Sequence, residues 1–274
     1  MAETRKPQRI TITLKGSEPD SGDVRFSEFL EQLDAIKEAL RQTERVVSGN
    51  QEQSIYYRVV DLSHSSPSRV VLEPVYPENA AIRRRLAVVP DTFTSAIKTL
   101  QSRRKPPARA DLAMLESHRP LGVSKMITQL KIARSPKKIV IIDQAFTEDV
   151  EKAIGPDIFS AGSVSGRLER VNLHNALSFD IFPPVGPSRV RCHFSEADRQ
   201  TVKLALDNFV TVKGRSRYKT WDKHPHAIDV KVIDIHEPDS ELPSIDDMRG
   251  LAPDSTGGLS SEDFIRAIRE NNWN

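Results

Sequence analysis

The chain of 274 residues has one cysteine, two tryptophans and no apolar run long enough to span a membrane. Because Cys192 stands alone, the chain cannot form an internal disulfide framework or a metal site built from cysteines. Its longest apolar runs, such as residues 139–142, are far shorter than the ~20 residues of a membrane helix. Residues 1–7 run into a strand pattern without an apolar signal segment. We therefore expect a cytoplasmic protein with no membrane partner.

The sequence also lacks the common motifs of catalytic and cofactor sites. Gly162 and Gly166 come without the lysine and hydroxyl residue of a P-loop, and the chain continues there as a strand. His224 and His226 have no third metal ligand nearby, which favours a solvated turn. Asp143 follows an apolar strand, where a turn or a helix cap is a commoner role than metal binding. We therefore expect no enzymatic activity, no cofactor and no metal. The alternative is an enzyme that uses acidic residues of the N-terminal domain, but no motif in the sequence supports it.

Charge is unevenly distributed along the chain, although the net charge is only +2. Residues 237–274 hold nine acidic residues against three arginines, a net charge of −6, which leaves +8 for residues 1–236. A basic body with an acidic tail is typical of proteins that bind different partners with the two parts, and ordinary solvated surfaces also produce it. With 38% hydrophobic and 28% charged residues, the chain has the composition of a folded protein.

Residues 1–155 are predicted to form an α+β domain, because apolar periodicities of strands and helices alternate along them. Residues 111–133 fit neither periodicity. The predicted elements are a strand at 9–14, a helix capped by Asp23 that covers 26–40, a hairpin of 55–62 and 68–75, a helical stretch over 78–104 interrupted at Pro90, and a buried strand at 137–143.

Residues 159–236 follow a different pattern, in which short strands dominate. The predicted order is three strands, one helix and two strands, and the helix begins with a capping box of Ser195 and Asp198. Gly162 and Gly166 lie in the first strand, where a bend tolerates missing side chains. This order resembles the OB-fold, a small barrel whose strands serve as a platform for oligonucleotides in many proteins.

The fourth strand of this segment carries a candidate nucleic-acid surface. Its cations alternate, so they are predicted to project from one face, with the aromatic residues Tyr218 and Trp221 close by. Single-stranded nucleic acid needs cations for its phosphates and rings for its bases, although alternating cations also occur on plain solvated strands. The residues predicted to bind single-stranded nucleic acid are Lys213, Arg215, Arg217, Tyr218 and Lys219.

The C-terminal tail is predicted to be a flexible acidic linker followed by a short helix. The helix begins at Ser260, with Asp263 completing a capping box. A helix this short is marginal alone, so it either packs on its own body or lies in a groove of another protein through anchors at helical spacing. The residues predicted to bind such a partner are Phe264, Ile265, Arg266, Ile268, Arg269 and Trp273.

Residues 248–251, Met-Arg-Gly-Leu, and the segment 261–273 resemble the C-terminal arm of antitoxins that neutralise PIN-domain ribonuclease toxins. The resemblance implies that the arm wraps a toxin partner and that a basic side chain, Arg266 or Arg269, enters the toxin's acidic magnesium site. It also implies that the apolar residues of the arm and Trp273 act as anchors. The resemblance does not extend to a short N-terminal DNA-binding module, which is not recognisable here.

The sequence therefore predicts an α+β protein with three parts. Residues 1–155 form an α+β domain without an assigned role, residues 159–236 form a five-stranded OB-like β-barrel, and residues 237–274 form an acidic linker and a partner-binding helical arm. The leading functional hypothesis is a non-enzymatic, antitoxin-like inhibitor of a PIN-type ribonuclease. The alternative is a single-stranded nucleic-acid-binding protein that uses the basic strand.

Overall fold

The computed structural model describes residues 9–63, 65–174, 176–187, 189–237 and 256–271. Trp273, the segment 248–251 and most of the acidic linker lie outside these ranges. The described chain is mixed α+β and contains two five-stranded sheets. No helix in these ranges has the length and apolarity needed to cross a membrane.

The first sheet is antiparallel, with the strand order β2-β3-β1-β4-β5. Alternation of apolar and polar residues places Ile10, Ile12 and Leu14 of β1 on the buried face, as the sequence predicts. The predicted hairpin of β2 and β3 is also present. Its strands are β1 (Ile10–Gly16), β2 (Tyr56–Ser63), β3 (Ser68–Val75), β4 (Ile127–Ser135) and β5 (Lys138–Ile142).

Two predictions for this region need correction. The first helix begins after Arg25, not at a cap formed by Asp23. The strand β5, predicted to be buried, has β4 as its only described neighbour, and its residue Ile141 is exposed on a solvated face. A run of apolar residues does not distinguish a central strand from an edge strand with one solvated face.

Five helices accompany the first sheet. The predicted break at Pro90 separates α2 from α3, and Pro90 lies in the first turn of α3, where its missing N–H costs no helical hydrogen bond. The helices are α1 (Phe26–Ser48), α2 (Ala80–Leu86), α3 (Val89–Arg103), α4 (Leu112–His118) and α5 (Phe146–Ile154).

The first core lies between this sheet and its helices. It joins the inward face of β1 to apolar side chains of the other strands and of α1, α3, α4 and α5. Its largest buried members include Leu14, Ile36, Phe93, Ile97 and Phe146. Since about 25 cal/mol is gained per Å² of apolar surface buried, this packing provides the main stabilisation of the region.

The second sheet consists of β6 (Asp157–Asn172), β7 (Ser178–Phe182), β8 (Val190–His193), β9 (Phe209–Lys219) and β10 (Ala227–Ile235), with α6 (Arg199–Ala205) between β8 and β9. Successive pairs are β6–β7, β7–β8, β8–β10, β10–β9 and β9–β6, so each strand has two partners. Only the β8–β10 pair is parallel. The chain order of three strands, one helix and two strands matches the prediction.

Glycines allow β6 to serve two neighbours. Its 16 residues pair with β9 over the first part and with β7 over the last part. A Cβ on Gly166 would lie 2.7 Å from the carbonyl carbon of Phe182, and one on Gly162 would lie 2.7 Å from the Ser216 hydroxyl. Both distances are too short for a side chain, so glycine is required where the strand crosses its partners.

The second core fills the inner face of this sheet. Its buried members are Leu168, Phe179, Ile181, Val190, Cys192, Phe194, Val202, Ala205, Val210, Val212 and Ile228. Cys192 is a core residue, and burial raises the pKa of its thiol, which keeps it protonated and unreactive.

Candidate functional site

The C-terminal helix α7 (Ser261–Asn271) is capped by Ser260, the residue predicted to begin it, which contacts Asp263 through its hydroxyl. The backbone N–H of Asp263 donates to the Ser260 hydroxyl at 3.2 Å, and that hydroxyl donates to the Asp263 carboxylate at 2.7 Å. These bonds satisfy one of the free N–H groups of the first turn and place negative charge at the positive end of the helix dipole. The start of the helix is therefore fixed by local sequence.

Apolar side chains of α7 form one stripe. Phe264, Ile265 and Ile268 are spaced by three and four residues, which places them on the same side of a helix. Ile265 and Ile268 are about half exposed, and neither core includes a residue of α7. Hydrogen bonds and ion pairs described for α7 join only residues of the helix and its cap. The stripe is an amphipathic surface separate from both cores.

The two arginines of α7 differ in their surroundings. Arg266 donates to the carboxylate of Asp263 at 3.3 Å. Arg269 forms no ion pair with any residue that the structure describes. At about 100° per residue, Arg269 lies ~40° from Ile265 around the helix axis, whereas Arg266 lies ~100° from it. Arg269 therefore borders the apolar stripe and Arg266 lies towards the opposite side.

The four cations of β9 project from one face, as predicted, but acidic side chains hold three of them. Lys213 pairs with Asp234 at 2.8 Å, and Arg217 pairs with Asp229 at 2.5 Å. Lys219, whose side chain is only 11% exposed, pairs with Asp157 at 2.7 Å. The acids come from β10 and from the start of β6, on either side of β9. This pairing removes most of the positive charge that the sequence pattern suggests.

Arg215 is different from the other three cations. Its guanidinium carbon lies 4.0 Å from the ring centroid of Phe159 on β6, a cation–π contact on an exposed surface. It forms no ion pair with a carboxylate within the described ranges. Arg215 and Phe159 are thus an adjacent cation and ring, and Phe159 was not among the residues that the sequence predicted for this surface.

The two aromatic residues predicted to lie near the cations have other positions. Tyr218 lies on the opposite face of β9, because strand side chains alternate, and its hydroxyl approaches Gly162. The indole N–H of Trp221 donates to the carbonyl of Ile154 at 3.0 Å, and the ring packs against the first core. Neither ring lies beside the cations as a stacking platform.

A cleft of about 850 Å³ lies between α1, the connector before α4 and the ends of β6 and β7. Its charged lining residues are Arg41, Arg45, Arg109, Arg170, Asp111, Glu169 and Asp222. Four arginines face three acidic residues in this lining, and Arg45 donates to Asp111 at 2.6 Å. Because the opposite charges nearly balance, the cleft lacks the excess positive charge of an anion site. The sequence did not predict this cleft, because it joins residues more than 100 positions apart.

The histidines considered as metal ligands do not form a metal site. His226 bonds to the carboxylate of Asp157 at 2.9 Å, and the ring of His224 lies beside Gly186. Within the part of the chain that the structure describes, no three His, Cys, Asp or Glu side chains are placed to hold a metal ion. Asp143 accepts the backbone N–H of Ala145 at 3.1 Å, a turn contact just before α5.

Comparisons with protein-family models, with curated proteins and with solved structures found no match to this chain.

Proposed function

We propose that the protein is a non-enzymatic, antitoxin-like inhibitor that binds a PIN-type ribonuclease through α7. The observation that carries this proposal is the exposed apolar stripe of α7, bordered by Arg269 and separate from both cores. An amphipathic helix with this pattern fits a hydrophobic groove through its residues at helical spacing. The resemblance of segments 248–251 and 261–273 to antitoxin arms supports the same partner class.

The proposed mechanism is occlusion of the nuclease site. Phe264, Ile265 and Ile268 fill an apolar groove of the partner, and a guanidinium pairs with the carboxylates that otherwise hold the partner's metal ion. Arginine suits this role because its planar fork of N–H groups matches a carboxylate in a bidentate arrangement. Since α7 has only 11 residues, part of the interaction energy is spent in ordering it on binding.

Arg269 is the proposed blocking residue. It borders the stripe that enters the groove, so it reaches the partner together with the apolar anchors. Arg266 points away from the stripe and is already paired with Asp263. This assignment chooses between two arginines that the resemblance alone leaves equivalent.

The test uses protein from the native host, captured on the full chain and on a chain that ends at Gly258. Neither core includes a described residue after 258, so the shorter chain keeps every described core residue. We expect the full chain alone to retain a metal-dependent ribonuclease and to inhibit its cleavage of RNA. Arg269→Ala is expected to weaken inhibition ~30-fold or more, since truncation of a buried charge pair costs about 2–5 kcal/mol.

Arg266→Ala is the matched control and is expected to change inhibition less than about threefold, because exposed pairs contribute little. Equal inhibition by the full and shortened chains would overturn the proposed function. Equal losses in the two arginine variants would overturn the choice of Arg269 while leaving the arm in place.

A second candidate function is binding of single-stranded nucleic acid by an OB-like barrel. Two observations favour it: β6 to β10 pair in a ring with one parallel pair, and Arg215 lies against the exposed ring of Phe159. A guanidinium on an aromatic ring offers a flat cationic surface for a base and a phosphate. The ion pairs of the other three cations limit the remaining charge.

Fluorescence anisotropy with labelled oligonucleotides of mixed sequence tests this second candidate. Binding is expected to weaken steeply with salt, and Arg215→Glu is expected to weaken it ~10-fold or more. Lys98→Glu on α3 makes the same change of charge on another element and serves as the control. Equal effects of the two variants, or no binding at low salt, would exclude a specific site at Arg215.

A further inference from the structure

The strand β2 is an exposed edge of the first sheet. It pairs with β3 on one side and with no described strand on the other. Four of its eight residues are large apolar side chains that are exposed, with exposures from 39% to 63%: Tyr56, Val59, Val60 and Leu62. An edge of this kind presents free backbone N–H and C=O groups beside apolar side chains, which is a template for another strand.

The opposite edge of the same sheet is protected. The strand β5 has five residues and begins with Lys138, which is preceded by Lys137. Lys138 bonds to Asp91 at 3.2 Å. Lysines and short length are the devices that keep an edge from pairing with another chain. The strand β2 is longer and contains no lysine, so the two edges of one sheet are built differently.

A bulge in β2 determines which side chains share a face. Arg58 lies opposite Glu73 of β3, and Asp61 lies opposite Val71, with a register shift between Val59 and Asp61. Residues 71 and 73 of β3 share a face because they are two positions apart. Arg58 and Asp61 therefore share that face as well, although they are three positions apart, which an unbulged strand does not allow.

This arrangement makes the edge complementary to itself. If two copies of β2 pair antiparallel about a twofold axis, Arg58 of one copy lies opposite Asp61 of the other, and the reverse contact follows by symmetry. The same register places Tyr57 opposite Leu62 of the second copy, on the other face. Without the bulge, Arg58 and Asp61 would lie on opposite faces of β2, and this register could not bring them together.

The charges of the neighbouring strand continue this pattern. Arg58 pairs with Glu73 at 2.6 Å, and Asp61 pairs with Arg69 at 2.7 Å. In the dimer, four charged side chains would lie in a row across the strands. The row runs from Glu73 and Arg58 of one copy to Asp61 and Arg69 of the other. Each charge then has neighbours of opposite sign, which stabilises cross-strand pairs.

We propose that β2 is a homodimerisation edge and that its partner is a second copy of this chain. The two first sheets join through antiparallel β2 strands into one sheet of ten strands. Backbone hydrogen bonds supply the attraction, the exposed apolar residues of β2 lose water, and the Arg58–Asp61 contacts fix the register. The dimer requires neither α7 nor the second sheet, so it is independent of the proposed function.

The test uses two charge-reversal variants of the full chain, Arg58→Glu and Asp61→Arg. In a homodimer of either variant, like charges face each other twice, so the dissociation constant is expected to rise about tenfold or more. In a mixture of the two variants, the carboxylate introduced into one chain faces the guanidinium introduced into the other, and the unchanged Asp61 faces the unchanged Arg58. A heterodimer is therefore expected to form. Size-exclusion chromatography with light scattering measures the mass of each sample over a wide range of concentration.

Lys15→Glu, a charge reversal on the exposed face of β1, is the control and is expected to dimerise as the unchanged chain does. Circular dichroism shows whether each variant is folded before its mass is compared. A monomeric unchanged chain at all concentrations would overturn the proposal. Dimers that persist in both single variants, or a failure of the mixture to recover the dimer, would overturn it as well.

Discussion

A single buried histidine, His118, connects local structure to the pH dependence of folding. It ends α4 with its side chain fully buried beside Phe93, at 5.7 Å between ring centroids. Its Nδ1 lies 2.8 Å from the carbonyl of Met114, which fits a neutral ring that donates to that oxygen. Burial lowers the pKa of His118 to about 4, while the hydrogen bond to Met114 acts in the opposite direction.

The pKa of His118 sets a pH window for stability. Between its unfolded pKa of ~6.5 and its folded value of about 4, the unfolded chain binds a proton that the folded chain rejects. The contribution of His118 to the free energy of unfolding should therefore be complete above the unfolded pKa. It should be lost as the pH decreases through this window. Between about pH 7 and pH 4.5, we expect the free energy of unfolding of His118→Asn to fall by ~2 kcal/mol less than that of the unchanged chain. Urea unfolding at both pH values measures the difference.

The pH dependence, and not the absolute stability, is the readout in that experiment, because the smaller side chain also leaves a cavity. His174→Asn makes the same substitution at an exposed position and is the matched control. An identical slope in the unchanged chain and in His118→Asn would show that His118 does not titrate differently in the two states.

At the scale of elements, one carboxylate organises two helices. Asp111 accepts the backbone N–H of Met114 at 3.0 Å and so caps α4, and it also accepts from the Arg45 guanidinium on α1. The side chain of Arg45 is only 10% exposed. Because this guanidinium is largely buried, the loss of its ion pair with Asp111 costs more than the loss of an exposed pair.

We expect Asp111→Ala to lower the free energy of unfolding by ~3 kcal/mol, from removal of the cap and the ion pair together. Asp34→Ala removes an exposed pair with Lys37 on α1 and should cost less than ~0.5 kcal/mol. Chemical denaturation of the two variants makes the comparison. Similar small losses in both would mean that Arg45 is compensated by other groups.

Most strands and the long helix α1 were predictable from the sequence, whereas α4 and β4, which fall largely in the unassigned stretch 111–133, were not. The strands β1, β9 and β10 alternate, β2 and β3 are rich in residues that favour strands, and α1 has a long apolar stripe. By contrast α4 has only seven residues, about two turns, which is too few to establish a helical period. It lies in the stretch 111–133 that fits neither pattern.

Candidate surfaces were predictable only where their geometry is local. The contact of Ser260 with Asp263 at the start of α7 spans four residues, and the sequence indicated it directly. The carboxylates that hold Lys213, Arg217 and Lys219 come from other strands, 12 to 62 residues away in the chain, so no local pattern indicates them. The register of β9 with β6 and β10 decides how much charge this surface retains.

At the scale of the whole molecule, the loop after β9 joins the two cores. Trp221 packs against the first core, and the Lys219 ammonium donates to the carbonyl of Gly155 at 2.9 Å. Both interactions reach the end of α5, just before β6 begins. They connect the end of β9, a strand of the second sheet, to α5, which packs in the first core.

We expect Trp221→Ala to cost ~3 kcal/mol, because a large ring leaves the first core. Without this ring, calorimetry should resolve the unfolding of the two cores into separate transitions. Trp221→Phe keeps a ring but removes the hydrogen bond to Ile154, so it should cost ~1 kcal/mol and retain a single transition. A single transition in Trp221→Ala would show that other interactions couple the cores.

The separation of α7 from both cores has a consequence for how the protein evolves. In the proposed function, substitutions in the apolar stripe change what α7 binds, but they leave the two packed cores untouched. Most changes in a core are removed by selection because they lower stability, and that constraint does not act on α7. The arm of the proposed inhibitor can therefore follow a changing partner while the two sheets keep their sequence.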